Sequence, residues 1–93
     1  NHEKPECVFV DLNILGSSFD GIELIRKINF EYGNGSVIGI ISSSQDEQEI
    51  EKAKQVGAQF WIIKSDDIEP RLEEFYKDYE GYKNKTAPFK VYR

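Results

Sequence analysis

Val37-Ile38-Gly39-Ile40-Ile41, closed by Ser42-Ser43-Ser44, is the stretch on which the fold turns. Five apolar residues without alternation, rich in β-branched side chains and bounded by small polar ones, read as a strand buried on both faces. Upstream, Gly33-Asn34-Gly35 is a helix stop. It ends a segment in which Ile22, Ile25 and Ile28 fall three apart, Leu24 lies beside them, and Arg26, Lys27 and Glu31 face away. That spacing predicts a helix from about Asp20, with Asp20 as its N-cap. Residues 12–18, with Asn13, Gly16, Ser17 and Ser18, have loop chemistry. Before them Cys7-Val8-Phe9-Val10 reads as another buried strand, ended by Asp11, and residues 1–6 as a loop containing Pro5.

Downstream the pattern repeats. A charged helix is expected from about Gln45 to Gln55, with Ile50, Ala53 and Val56 as its inner stripe and Gly57 as its end. Phe60-Trp61-Ile62-Ile63 is the third apolar strand, and Lys64 follows it. The last helix, about Asp67 to Tyr82, carries Ile68, Leu72, Phe75, Tyr79 and Tyr82 on one seam, with Pro70 in its first turn, where a missing N–H does no harm. Strands alternating with helices predict an α/β domain: a parallel sheet with right-handed crossovers and helices on both faces.

Ninety-three residues allow a single domain, and 39% hydrophobic with 31% charged residues suit a globular chain, not a disordered one. A net charge of −5 argues against nucleic-acid binding, which needs clustered cations. The one basic cluster, Lys83, Lys85, Lys90 and Arg93, reads as a solvated C-terminal tail over residues 83–93. Cys7, the sole cysteine, sits in an apolar run, so a buried thiol and a reducing, cytoplasmic setting are expected. No stretch has membrane-spanning length or a signal-peptide pattern.

In parallel α/β sheets the working site lies at the carboxyl ends of the strands. The polar residues there are Asp11, Ser42 and Lys64. Each has an ordinary explanation: a cap, a loop residue, a solvated charge. Together they form a carboxylate, a hydroxyl and an ammonium that one sheet brings to one edge. The set suits phosphoryl transfer to a carboxylate, with Asp11 as nucleophile, Lys64 neutralising phosphoryl oxygens and Ser42 donating a hydrogen bond to one of them. A hard cation such as Mg²⁺ usually bridges such oxygens.

Val8-Phe9-Val10-Asp11-Leu12-Asn13, then Gly16, then Asp20-Gly21-Ile22-Glu23-Leu24-Ile25 resembles the phosphoacceptor strand and following helix of response-regulator receiver domains. Val37 to Ser43 resembles their next strand with its switch hydroxyl, here Ser42. Ala53, Gly57-Ala58 and Trp61-Ile62-Ile63-Lys64 resemble the stretch ending in the family's lysine. The resemblance covers about residues 5–80 and implies a flavodoxin-like, doubly wound parallel sheet, with the receiver spanning residues 1–82. It implies that Asp11 accepts a phosphoryl group from a sensor histidine kinase or phosphotransfer protein, and that Asn13 offers its backbone carbonyl to Mg²⁺ held also by Asp11. Ser42 and Trp61 would be the switch pair, and Lys64 would pair with the phosphoryl group. The output would be protein contacts, with a homodimer among them, on the last two helices and the strand between, where Asp66, Asp67, Glu69, Arg71 and Lys77 stand.

Three departures accompany the resemblance. Leu15 stands in place of the proline usual after the phosphoacceptor motif, and the loop from Asp11 to Asp20 is about two residues longer than usual. Ser65 replaces the proline that follows the family's lysine, so a trans bond is expected there, since a cis bond before serine costs roughly 2.5–4 kcal/mol. The family's opening strand, its acidic Mg²⁺-binding pair and its second strand have no counterpart, and Glu3 and Glu6 are misplaced to act as that pair. The sequence is therefore expected to be a fragment of a longer chain, with weak Mg²⁺ binding. A pseudo-receiver that works by protein contact alone stays open. Cobalamin binding and dehalogenase-type phosphatase chemistry fit less well: Asn13 stands where each needs a histidine or a second aspartate, and the only histidine is His2.

Overall fold

The structure, a computed structural model, describes residues 6–15, 18–32 and 35–93. The expectations placed on residues 1–5, Gly16, Ser17, Gly33 and Asn34 lie outside the described residues. The elements run β1 (Cys7–Asp11), α1 (Leu12–Leu15), α2 (Ser18–Tyr32), β2 (Val37–Ser42), α3 (Glu47–Gln55), β3 (Phe60–Ile63), α4 (Glu69–Lys83) and β4 (Lys90–Tyr92). The four strands form one sheet in the order β1-β2-β3-β4, every neighbouring pair parallel. Cys7 pairs with Val37 and Asp11 with Ile41, while Gly39 faces Phe60 and Ser42 faces Ile63. The chain is thus α/β with a parallel sheet, as its alternating pattern predicts. Among the described residues, no helix is long and apolar enough to cross a membrane.

Alternation along the strands divides the core in two. Val10, Ile38, Ile40, Trp61 and Ile63 pack against Ile22 and Ile25 of α2 and Ile50 and Ala53 of α3. Val37, Phe60 and Ile62 point the other way, onto Phe75 and Tyr82 of α4. Gly39 belongs to this second face, where the Phe60 ring occupies the space a side chain would need. Any larger residue there must displace a fully buried ring.

Several boundaries differ from expectation. Leu12–Leu15 is a helical turn, not loop, started by Asp11, whose Oδ1 accepts the Asn13 backbone N–H at 2.9 Å. Helix α2 begins at Ser18, so Asp20 lies inside it and is not the N-cap. Helix α3 begins at Glu47, not Gln45, because Asp46 caps it, its carboxylate accepting the Gln48 N–H at 2.8 Å.

The largest correction concerns the tail. Residues 83–93 do not form a solvated extension: Lys90–Tyr92 pairs with Phe60–Ile62 as a fourth parallel strand, and Tyr92 is 3% exposed. The Tyr92 hydroxyl donates to Asp78 Oδ2 at 2.7 Å and lies 2.8 Å from the buried Tyr82 hydroxyl. Lys90 Nζ reaches the same carboxylate at 3.2 Å and sits 4.9 Å from the Tyr92 ring centroid, while Arg93 pairs with Glu47 at 2.9 Å. Of the four basic residues that suggested a solvated tail, Lys90 and Arg93 tie the strand to Asp78 and Glu47.

Burial also sets how the fold responds to alkali. It pushes the Cys7 thiol up from 9.0 to about 11, with the Glu6 charge adding to the effect, and the Tyr79 phenol from 10.0 to about 12. Burial raises Tyr82 as well, against the hydrogen bond to Tyr92. Each group keeps its proton longer when folded: the Cys7 contribution is intact below about pH 9 and lost as pH climbs through 11, and that of Tyr79 is intact below about pH 10 and lost towards pH 12. Urea melts at pH 8 and pH 11 should show lower stability at pH 11, with part of the difference abolished in Cys7→Ala.

Candidate functional site

Parallel strands β1, β2 and β3 end side by side, and the carboxyl edge they form carries Asp11, Ser42 and Lys64. The structure brings two of these together. Lys64 Nζ donates to Asp11 Oδ2 at 2.7 Å, with the two side chains 42% and 24% exposed. The backbone of Lys64 is fixed at the same place, its N–H bonded to the Ser42 carbonyl at 2.8 Å. The Asp11 carboxylate thus accepts Lys64 on one oxygen and the Asn13 N–H on the other. The cap explanation of Asp11 holds, and Lys64, read as a solvated charge, is instead paired with the same carboxylate.

Ser42 is placed differently. It is 4% exposed, two residues beyond Ile40 on the α2–α3 face, and its Oγ accepts the Ser44 backbone N–H at 3.0 Å. The hydroxyl joined to the Asp11 turn is that of Ser43. Asn13 Nδ2 donates to Ser43 Oγ at 2.9 Å, and the Ser43 N–H donates to Asn13 Oδ1 at 3.0 Å. This reciprocal clasp ties the turn after β1 to the loop after β2. Ser44 completes that loop: its hydroxyl donates to Glu49 Oε1 at 2.7 Å, and its carbonyl accepts Trp61 Nε1–H at 3.2 Å. Trp61 is fully buried and faces α2 and α3. Sequence reasoning singled out Ser42 and passed over Ser43; the serine triplet was the only available signal.

The bond after Lys64 is trans, as no cis peptide occurs among the described residues. The residues at the site do not fit a Mg²⁺ centre. Among the described residues no group of three or more acidic, histidine or cysteine side chains stands ready to hold a metal, and both Asp11 oxygens already have protein donors. A hard cation needs several oxygen ligands, so Asp11 and the Asn13 carbonyl make an incomplete set. What the arrangement offers is a partly buried carboxylate at the sheet edge, with a more exposed ammonium bound to it and exposed amide and hydroxyl groups beside it. Comparison of the chain with protein-family models, curated proteins and solved structures gives no match.

Proposed function

We propose that the chain is a receiver-like phosphoacceptor module, a flavodoxin-like sheet in which Asp11 accepts a phosphoryl group from a histidine kinase or phosphotransfer protein. One observation supports this above the rest: Lys64 Nζ rests 2.7 Å from Asp11 Oδ2 at the carboxyl edge of a parallel sheet. In the transfer, an Asp11 oxygen forms a bond to the phosphorus of a phosphohistidine and the N–P bond breaks. The imidazole leaves with that electron pair and takes up a proton. Lys64 moves from the carboxylate to the incoming phosphoryl oxygens, which carry more charge. Ser43 Oγ, exposed beside Asn13, supplies a hydroxyl within the same cluster, while Ser42 must turn from its bond with Ser44 to contribute. The output is a change in protein contacts, with no role for nucleic acid.

A second reading, the pseudo-receiver, is favoured by the incomplete metal set. The two separate in one experiment: incubation with acetyl phosphate, with and without Mg²⁺, followed by intact-mass measurement of the wild type and Asp11→Asn. The phosphoacceptor predicts a phosphoryl adduct that disappears in Asp11→Asn. A wild type that gains no adduct under either condition leaves the pseudo-receiver.

A further inference from the structure

The Lys64 N–H is held by the Ser42 carbonyl, and on its other side the residue leads directly into the turn before α4. That turn, Ser65-Asp66-Asp67-Ile68, contains neither glycine nor proline and is exposed at its first three residues. Among the described residues, no backbone–backbone hydrogen bond is made by residues 65–67. Helix α4 begins just after it, with Ile68 as an N-cap whose side chain makes no capping bond. The fixing bonds come from Arg71. Its Nη1 donates to Ser65 Oγ at 2.7 Å and to the Asp67 carbonyl at 2.8 Å, reaching back over the helix N-terminus to close the turn from both ends.

Two features argue that this placement is not incidental. A cation in the first turn of a helix opposes the helix dipole, which favours anions there. The guanidinium Nε–H is also buried without an acceptor while Nη1 makes its bonds at the surface, a cost that an arginine extended into water would avoid. Both penalties are offset only if the Ser65 and Asp67 bonds matter to the native state. We infer that Arg71 is a positioning residue: it sets the Ser65–Asp67 turn and so holds the Lys64 ammonium on Asp11. This rests on the reading of Asp11 and Lys64 as the working pair. It assigns to a guanidinium the restraint that a proline after the lysine would otherwise supply.

The test is lysine footprinting with acetic anhydride on the full chain, comparing Lys64 with the exposed Lys27 and Lys52 in the same digest. Arg71→Gln and Ser65→Ala should each raise Lys64 acetylation several-fold, leaving Lys27 and Lys52 unchanged. The double variant should add nothing further, and Arg71→Lys, which keeps the charge but loses the fork, should fall between. Thermal melts confirm that each variant is folded; Ser65→Ala removes only a surface hydroxyl and keeps the test valid if Arg71→Gln unfolds. Unchanged Lys64 reactivity in Ser65→Ala, or effects that add in the double variant, would overturn the assignment. The phosphoacceptor reading fails separately: raised Lys64 reactivity in a chain that never gains a phosphoryl adduct keeps Arg71 as the positioning residue and removes the transfer.

Discussion

Replacing Phe75 by alanine should lower the melting temperature by roughly 15–30 °C, from a cavity and contact loss of about 3–5 kcal/mol. Phe75 is fully buried under α4 and is the hub of the second core face. Its ring centroid lies 4.4 Å from Phe60, 5.6 Å from Phe9, 5.8 Å from Tyr82, 5.9 Å from Tyr79 and 6.0 Å from Tyr92. Removing it strips β1, β3, β4 and the far turn of α4 of a common partner. A chain of this length has a total stability of roughly 5–14 kcal/mol, so the loss consumes much of it. Collapse around the void is restricted, because α4 is tethered at one end by Arg71 and at the other by the Tyr82–Tyr92 pair. Tyr76, the next residue and 64% exposed, is the control. Its replacement by alanine should change stability by no more than about 0.5 kcal/mol. Calorimetry of the two variants decides the matter; near-equal melting temperatures would mean that the α4 face is not packed as described.

The elements read correctly from sequence were those whose signal is local. The apolar runs of β2 and β3 are buried on both faces as read, and the helical stripes Ile22–Ile25 and Ile50–Ala53 match the side chains that reach the core; β1, read the same way, is a strand but not a doubly buried one, with Phe9 39% exposed and Cys7 only partly buried. The meeting of Asp11 with Lys64 followed from the same source, since parallel strands put their carboxyl ends on one edge whatever lies between. Signals that depend on distant partners were not legible. Lys90-Val91-Tyr92 is too short for a period and lies among cations, and its strand character comes from the free edge of β3 and from Asp78 and Tyr82. Ser43 could not be told from Ser42, because the choice depends on a helical turn at Leu12–Leu15 that directs Asn13 toward it. Arg71 looked like one more exposed charge, because sequence does not show where a long side chain bends back.

Ending the chain after Ala87 should abolish cooperative folding, or lower the melting temperature by more than about 20 °C. The deletion removes Tyr92, whose burial alone is worth about 3–5 kcal/mol on the scale of large aromatic truncations. It also removes the partly buried Phe89 and Val91 from the opposite core face, so both halves of the core lose members at once. Two polar consequences add to this. The buried Tyr82 hydroxyl loses the partner 2.8 Å away, and an unmatched buried hydroxyl costs about 1–3 kcal/mol. Asp78 loses the Tyr92 hydrogen bond, the chief cause of its lowered carboxyl pKa. That stabilisation is present above the ordinary aspartate range and fades as pH falls, so it is missing at neutral pH in the truncated chain. Finally, β3 becomes an edge strand with Phe60, Trp61 and Ile62 facing outward along their backbone, an invitation to aggregation. Tyr92→Phe separates these contributions: it keeps the ring and the ladder, removes only the hydroxyl, and should cost about 1–3 kcal/mol while leaving a cooperative transition. Far-ultraviolet circular dichroism melts of the three chains give the comparison. A truncated chain melting within a few degrees of the full one would return residues 88–93 to the role of a tail. Loss of the transition would make β4 part of the fold, and any output surface built on α4 and β3 must then include the strand that covers their outer edge.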